Sequence, residues 1–123
     1  MAMARKILVG LAWLFVLGVM LEFFFAGLGL LGGEDMELHE GFGWGALQLL
    51  PVLILIAAFF AKPARSMLIL VVALLVVSFF QPFWVTEFRG EFLGSFHVLG
   101  AAVILALAHA IAQRATHLVR AGA

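Results

Sequence analysis

Long apolar runs separated by short polar intervals divide the chain into four segments. A helix needs about 20 apolar residues to cross a bilayer, and the intervals between the runs are too short to form a soluble domain. The pattern therefore predicts an all-α, four-transmembrane-helix bundle that forms a single integral membrane domain over residues 1–123. The predicted spans are residues 7–31, 39–61, 66–80 and 93–117.

Composition agrees with a lipid environment and narrows the chemistry. The chain is 66% hydrophobic and 11% charged, with a mean hydropathy of +1.22, against about 45–50% apolar and about 25% charged residues in soluble domains. Cysteine and tyrosine are absent, which excludes thioether-attached haem, thiolate-bound iron–sulfur clusters and tyrosyl chemistry. No phosphate-binding glycine loop, catalytic triad or nucleic-acid-binding patch is present.

Three prolines mark expected irregularities in the helices. Pro51 lies within the second run and predicts a kink, because proline lacks a backbone N–H. Pro63 disfavours helix at the residue before it, so a tight basic turn is expected at 62–65. We expect Pro82 to end the third helix, with residues 83–92 forming an amphipathic connection at the membrane surface.

Basic and acidic residues concentrate at opposite ends of the predicted bundle. Six of the seven basic residues fall at the end that holds both termini, namely Arg5, Lys6, Lys62, Arg65, Arg114 and Arg120. Arg89 and six acids fall at the other end, the acids being Glu34, Asp35, Glu37, Glu40, Glu87 and Glu91. Cytoplasmic connections are rich in Lys and Arg, so we expect cytoplasmic N and C termini and a multi-pass protein of a bacterial inner (plasma) membrane.

Polar residues recur with similar spacing in the two halves of the sequence. Seventeen positions separate Glu22 from His39, and sixteen separate Gln81 from His97. Phenylalanines adjoin Glu22 and Gln81, and small residues follow each histidine. Both halves begin and return at the same end, which predicts two helix pairs related by a parallel repeat.

The repeat places His39 and His97 at similar depth near the acidic end. Facing histidines on two helices can ligate haem with core side chains alone. Same-face neighbours on a helix lie three and four residues apart, so small residues there would clear room for a porphyrin. These neighbours are Gly43, Gly100 and Ala101. We therefore hypothesise a haem b with His39 and His97 as its metal ligands.

Glu22 lies inside the first apolar run. A charge there costs at least about 2.5 kcal/mol on insertion scales, so it usually faces the bundle interior and has a partner. Two interpretations stay open, a hydrogen-bonded group that ties helices together and a proton site or cofactor-adjacent group.

Several features resemble known families. The run Phe-Phe-Phe-Ala-Gly-Leu at 23–28, with His39 and His97, is similar to an uncharacterised family of small four-helix bacterial membrane proteins. One histidine on the second helix and one on the fourth resembles one half of haem A synthase and, more distantly, cytochrome b-type bundles. That resemblance implies haem binding and an acid near the ligands, for which Glu40 and Glu22 are the positions here. The second haem-binding half is missing, so we do not expect an enzyme by itself.

Other uses of these residues remain open. His39 and His97 could cap helices or reach headgroups, and the acids at 34–40 could bind a divalent cation with His39. His109 lies about 18 Å deeper than His97 by helical rise; we interpret it as a buried, hydrogen-bonded residue, with a substrate or proton role as the alternative. His117 is expected at headgroup level.

Bis-histidine ligation leaves no open iron position, which favours electron transfer or haem handling. Expected partners are the lipid bilayer and a redox partner, quinone or larger membrane complex, with no nucleic acid. Two other functions compete with this one. The chain could be a non-catalytic accessory subunit of a respiratory or transport complex, or a small channel or carrier with Glu22 and His109 along the path.

Overall fold

Four long helices make up nearly all of the computed structural model, which describes residues 1–121. Each is long and apolar enough to cross a membrane, which confirms the all-α prediction and is compatible with a multi-pass membrane protein. A short 3-10 helix, Phe92–Ser95, leads into the fourth helix. The four helices are α1 (Ala2–Leu31), α2 (Glu37–Ala61), α3 (Arg65–Glu87) and α4 (Phe96–Arg120).

The helices form a ring in which each one packs against the next along the chain, and α4 closes the ring against α1. Within the described residues, α1 and α3 have no Cα atoms within 8 Å of each other, and neither do α2 and α4. These two pairs therefore lie diagonally across the bundle. Because connected helices alternate in direction, α2 and α4 run in the same direction and begin at the same end.

Pro82 does not end the third helix, so that prediction was wrong. α3 continues through Pro82 to Glu87 and takes in part of the expected surface connection. Proline has no N–H for the carbonyl four residues earlier, which here belongs to Ser78. The side chain of Gln48 on α2 supplies the missing bond, since its Nε2 donates to the Ser78 carbonyl at 2.9 Å. A neighbouring helix thus satisfies the group that proline frees.

The turns follow the sequence closely. α2 ends at Ala61 and α3 begins at Arg65, which confirms the tight basic turn. Lys62 takes a left-handed conformation with φ 48°, and Pro63 prevents the helix from continuing. Each of the two loops at the opposite end contains a glycine with positive φ, Gly33 at 78° and Gly90 at 82°, where a side chain would be strained.

Burial divides the bundle into two halves. We call residues 1–19, 51–78 and 104–121 the terminal half, and residues 20–50 and 79–103 the loop half. Every buried residue lies in the terminal half, and no residue of the loop half is buried. The buried hydrophobic residues are Leu8, Ala12, Phe15, Val16, Val19, Ile54, Ala57, Ala58, Ala61, Met67, Val71, Leu74, Ile104, Ala108, Ile111, Ala112 and Ala115.

Candidate functional site: a histidine pair in the loop half

The two histidines at the starts of α2 and α4 meet across the bundle. His39 is the third residue of α2 and His97 the second of α4, so both lie at the same end. Their ring centroids are 6.0 Å apart and their planes are inclined by 85°. Because α2 and α4 are diagonal to each other, this contact crosses the middle of the loop half.

Glu22 on α1 reaches the His39 ring. Oε1 of Glu22 lies 3.1 Å from Nδ1 of His39, and only 15% and 17% of these two side chains are exposed. The two atoms are at ion-pair distance, but Nδ1 is not aligned for a hydrogen bond. Within the described residues, Oε2 of Glu22 is buried without a hydrogen-bond partner. This predicted polar residue therefore faces the interior, beside a histidine.

Gln81 on α3 holds His97 through two hydrogen bonds. Nε2 of Gln81 donates to the His97 carbonyl oxygen at 2.9 Å. Nδ1 of His97 lies 2.9 Å from the Gln81 carbonyl oxygen, so the N–H of that ring belongs on Nδ1. Oε1 of Gln81 is buried and has no partner among residues 1–121.

The pairs Glu22–His39 and Gln81–His97 occupy equivalent positions in the two helix pairs but differ in their chemistry. In each helix pair, a polar residue on the first helix reaches the histidine at the start of the second. Both histidines turn Nδ1 toward that neighbour, which leaves Nε2 of each ring available to a ligand. The difference is that His39 faces a carboxyl group, whereas His97 faces a backbone carbonyl and an amide.

The glycines beside the histidines make room for Glu22 and Gln81. A Cβ on Gly43 would lie 2.5 Å from Oε1 of Glu22, and one on Gly100 would overlap Oε1 of Gln81. We predicted that these glycines clear space for a porphyrin, but the structure places protein side chains against them. Ala101, the third small residue predicted beside the histidines, is partly buried.

The other histidines lie away from this site. His109 is exposed, so its interpretation as a buried residue was wrong. It lies against Trp13, with ring centroids 5.9 Å apart, and its Nε2 is 3.3 Å from Nε2 of Gln113. His117 is exposed in the last turn of α4, as expected for a headgroup-level residue.

The acids of the first loop do not gather around His39. No group of three or more His, Asp or Glu residues within the described part of the chain could hold a metal ion. The divalent-cation hypothesis for residues 34–40 therefore has no cluster to support it. In that loop, Oδ1 of Asp35 accepts the backbone N–H of Glu37 at 3.0 Å, which forms an Asx turn just before α2.

Sequence reasoning missed two polar contacts that shape the bundle. One is the bond from Gln48 to the Ser78 carbonyl. The other joins Trp13 to Thr116, where the indole Nε1 donates to Oγ1 at 3.1 Å. The signals available for the first contact were Gln48, a polar residue inside the second apolar run, and Pro82, which lies four residues after Ser78.

Comparison with known proteins identifies a family and no function. A family model described as a family of unknown function, DUF6220, matches residues 22–87, which is more than half of the chain. The matched region contains Glu22, His39 and Gln81 but ends before His97. No curated protein and no solved structure matches the chain, so no link to haem A synthases or cytochromes is shown. The chain belongs to the DUF6220 family, a family of unknown function.

Proposed function

We propose that this protein binds one haem b between His39 and His97 and takes part in electron transfer or haem handling. The observation that carries the proposal is the 6.0 Å separation of the two ring centroids. Metal–imidazole bonds of about 2.0–2.1 Å place the centroids of two opposed ligand rings roughly 6.4 Å apart. The observed centroid separation is therefore close to the one that two imidazoles on a single metal ion would have.

The surroundings of the rings support this use. A metal-ligating histidine usually directs its second nitrogen to a carboxylate or a backbone carbonyl, which fixes the ring orientation. Glu22 and the Gln81 carbonyl occupy those positions, at 3.1 and 2.9 Å from the respective Nδ1 atoms.

Unsatisfied polar atoms cluster around the same pair. In the described residues, Oε2 of Glu22, Nδ1 of His39 and Oε1 of Gln81 are buried without hydrogen bonds. Most buried polar groups have a partner in the native state, so these atoms favour a bound group or ordered water at this place. The absence of buried residues from the loop half leaves the helices able to separate around a ligand.

The donor set defines what such a group would do. A haem held by two imidazoles has no open iron position and therefore supplies one-electron transfer rather than oxygen chemistry. His39 and His97 would hold the iron, while Glu22 and Gln81 would keep each ring in place.

We also propose that the loop half lies toward the outside of a bacterial plasma membrane. The terminal end carries six of the seven basic residues and the loop end six of the seven acids, which matches the positive-inside pattern. A reporter fused to the C-terminus should read cytoplasmic, and tags inserted at Asp35 or Arg89 should read external. An external C-terminus would overturn this orientation.

The haem is tested by absorption spectroscopy. Protein purified in mild detergent from a haem-replete host should show the Soret and split α/β bands of low-spin, six-coordinate haem b. His39→Ala and His97→Ala should each abolish binding or give a five-coordinate spectrum. His109→Ala and His117→Ala are the matched controls, and both should keep the wild-type spectrum.

Two results would contradict the proposal. A colourless protein after haem supplementation would exclude haem binding and favour the accessory-subunit function. Loss of the spectrum in His109→Ala, with the spectra of His39→Ala and His97→Ala unchanged, would show that the haem lies in the terminal half instead of the loop half. Circular dichroism of each variant shows whether the four helices have formed and so separates ligand loss from misfolding.

A further inference from the structure

A polar pair lies on the exposed surface of α4. His109 and Gln113 are both exposed, and their side chains approach each other at 3.3 Å through the two Nε2 atoms. Trp13 of α1 lies beside them, with its ring 5.9 Å from His109. The pair uses one nitrogen of each side chain, which leaves the other ring nitrogen of His109 and Oε1 of Gln113 for a further partner.

The depth of this pair excludes an ordinary surface role. His109 is close to the middle of α4 (Phe96–Arg120), and by helical rise it lies about 16 Å from Arg120. Arg114, one of the basic residues at the terminal end, is about 7.5 Å from His109 by helical rise, so His109 lies inside the hydrocarbon core on the side of the terminal end. Ionisable residues at that depth rarely face lipid and usually have a protein partner or line a cavity.

Small residues continue the same exposed surface toward the loop half. Ala102 and Ala106 are both exposed. Ala106 lies one turn before His109, and Ala102 lies two turns before it. Helix interfaces in membranes combine small residues, which allow the backbones to approach closely, with Gln or His side chains that hydrogen-bond across. We call Ala102, Ala106, His109 and Gln113 the α4 polar face.

We propose that the α4 polar face is the interface of a homodimer within the membrane. Two copies inserted in one orientation are related by a two-fold axis along the membrane normal, so each residue meets its own equivalent at the same depth. A glutamine amide carries both donor and acceptor groups, and Gln113 can therefore pair with Gln113 or His109 of the other copy. This self-complementarity is what selects a second copy of the chain as the partner.

The dimer proposal rests on the membrane placement and not on the haem. The polar residues of this face, His109 and Gln113, lie about 18 and 24 Å by helical rise from His97, and they are exposed on the outside of the bundle. Loss of haem and loss of the dimer are therefore independent results, read by a spectrum in one case and by a cross-link in the other.

Cysteine cross-linking tests the interface without a background reaction, because the chain contains no cysteine. Ala106→Cys should form a disulfide-linked dimer on mild oxidation in native membranes, since small residues allow the close approach that a disulfide requires. Val76→Cys is the matched control, because Val76 is 50% exposed and lies near the middle of α3. The control should remain a monomer on a non-reducing gel.

A second set of variants tests the polar pair itself. In the Ala106→Cys chain, Gln113→Leu should reduce cross-linking roughly three- to fifteen-fold, the range expected for a hydrogen bond between membrane helices. Gln113→Asn should restore part of it, and His117→Leu should leave it unchanged. Equal cross-linking of Ala106→Cys and Val76→Cys, no cross-link at Ala106→Cys, or no effect of Gln113→Leu would each overturn the proposal.

Discussion

The two halves of this bundle differ in what fills the space between the helices. The terminal half contains all the buried residues of the described chain, and its interior side chains are almost entirely apolar. The loop half has no buried residue and places Glu22, His39, Gln81 and His97 toward its centre. Packing and polar chemistry therefore occupy different depths of one fold.

Side-chain size explains much of the contrast. In the terminal half, α2 and α4 contribute alanines to the core, such as Ala58 and Ala112, which are both fully buried. Small residues let membrane helices approach closely and gain van der Waals contact. In the loop half, many phenylalanines point outward instead; Phe24, for example, is 60% exposed. Those rings suit contact with lipid and leave the interior to polar groups.

Overpacking the terminal half should give the largest stability effect. Ala112→Leu adds a branched side chain where no space exists, since Ala112 is 0% exposed, and it should lower the free energy of unfolding by about 1–3 kcal/mol. Val98→Leu is the control in the loop half, because Val98 is 68% exposed, and it should change little. Unfolding in detergent, followed by tryptophan fluorescence, measures both. Equal losses would show that the two halves are packed alike.

Glu22 should have a smaller effect, and one that depends on the replacement. Glu22→Leu removes the carboxyl group that lies 3.1 Å from Nδ1 of His39 and should cost about 1 kcal/mol, the scale of a polar contact between membrane helices. Glu22→Gln keeps an oxygen at that place and should cost less. The measurement is unfolding in detergent, with Phe24→Leu as an exposed control. Equal stability of the Gln and Leu variants would indicate that Glu22 makes no interaction that stabilises the bundle.

The sequence was sufficient to predict the number, order and approximate ends of the helices. Hydrophobic run length and polar intervals act locally, so they could be read without tertiary information. The meeting of His39 and His97 also followed from the sequence, because each lies within one turn of a helix start and the two helices run in parallel. The end of α3 could not be predicted, since it depends on Gln48 reaching Ser78 from another helix.

The direction in which each helix faces was harder to predict. A helix that is apolar on every side has no amphipathic pattern to show which face is interior. The position of His109 was misjudged for this reason. The side chains that lie beside Gly43 and Gly100 could not be identified from the sequence either. Those glycines were read as room for a ligand, whereas the contacts show room for Glu22 and Gln81.

The smallest expected effect is a difference in stability between two glycine-to-alanine variants of α2, one at Gly43, which faces Glu22, and one at Gly45. Replacing glycine by alanine in a helix usually stabilises it by roughly 0.5–1 kcal/mol, and Gly45→Ala should show that gain, since nothing lies within 4 Å of its Cβ position. Gly43→Ala should lose most of the gain, because its Cβ would lie 2.5 Å from Oε1 of Glu22 and displace the carboxyl group. The carboxyl group is the end of a flexible side chain, so the protein should still fold.

The two alanine variants also bear on the histidine pair. A displaced Glu22 no longer holds the His39 ring, so Gly43→Ala should weaken haem binding or broaden the low-spin bands, while Gly45→Ala should match the wild type. Haem titration of both proteins measures the difference against their unfolding curves. If Gly43→Ala gains as much stability as Gly45→Ala and binds haem equally well, then the contact between Glu22 and His39 has no part in shaping the site.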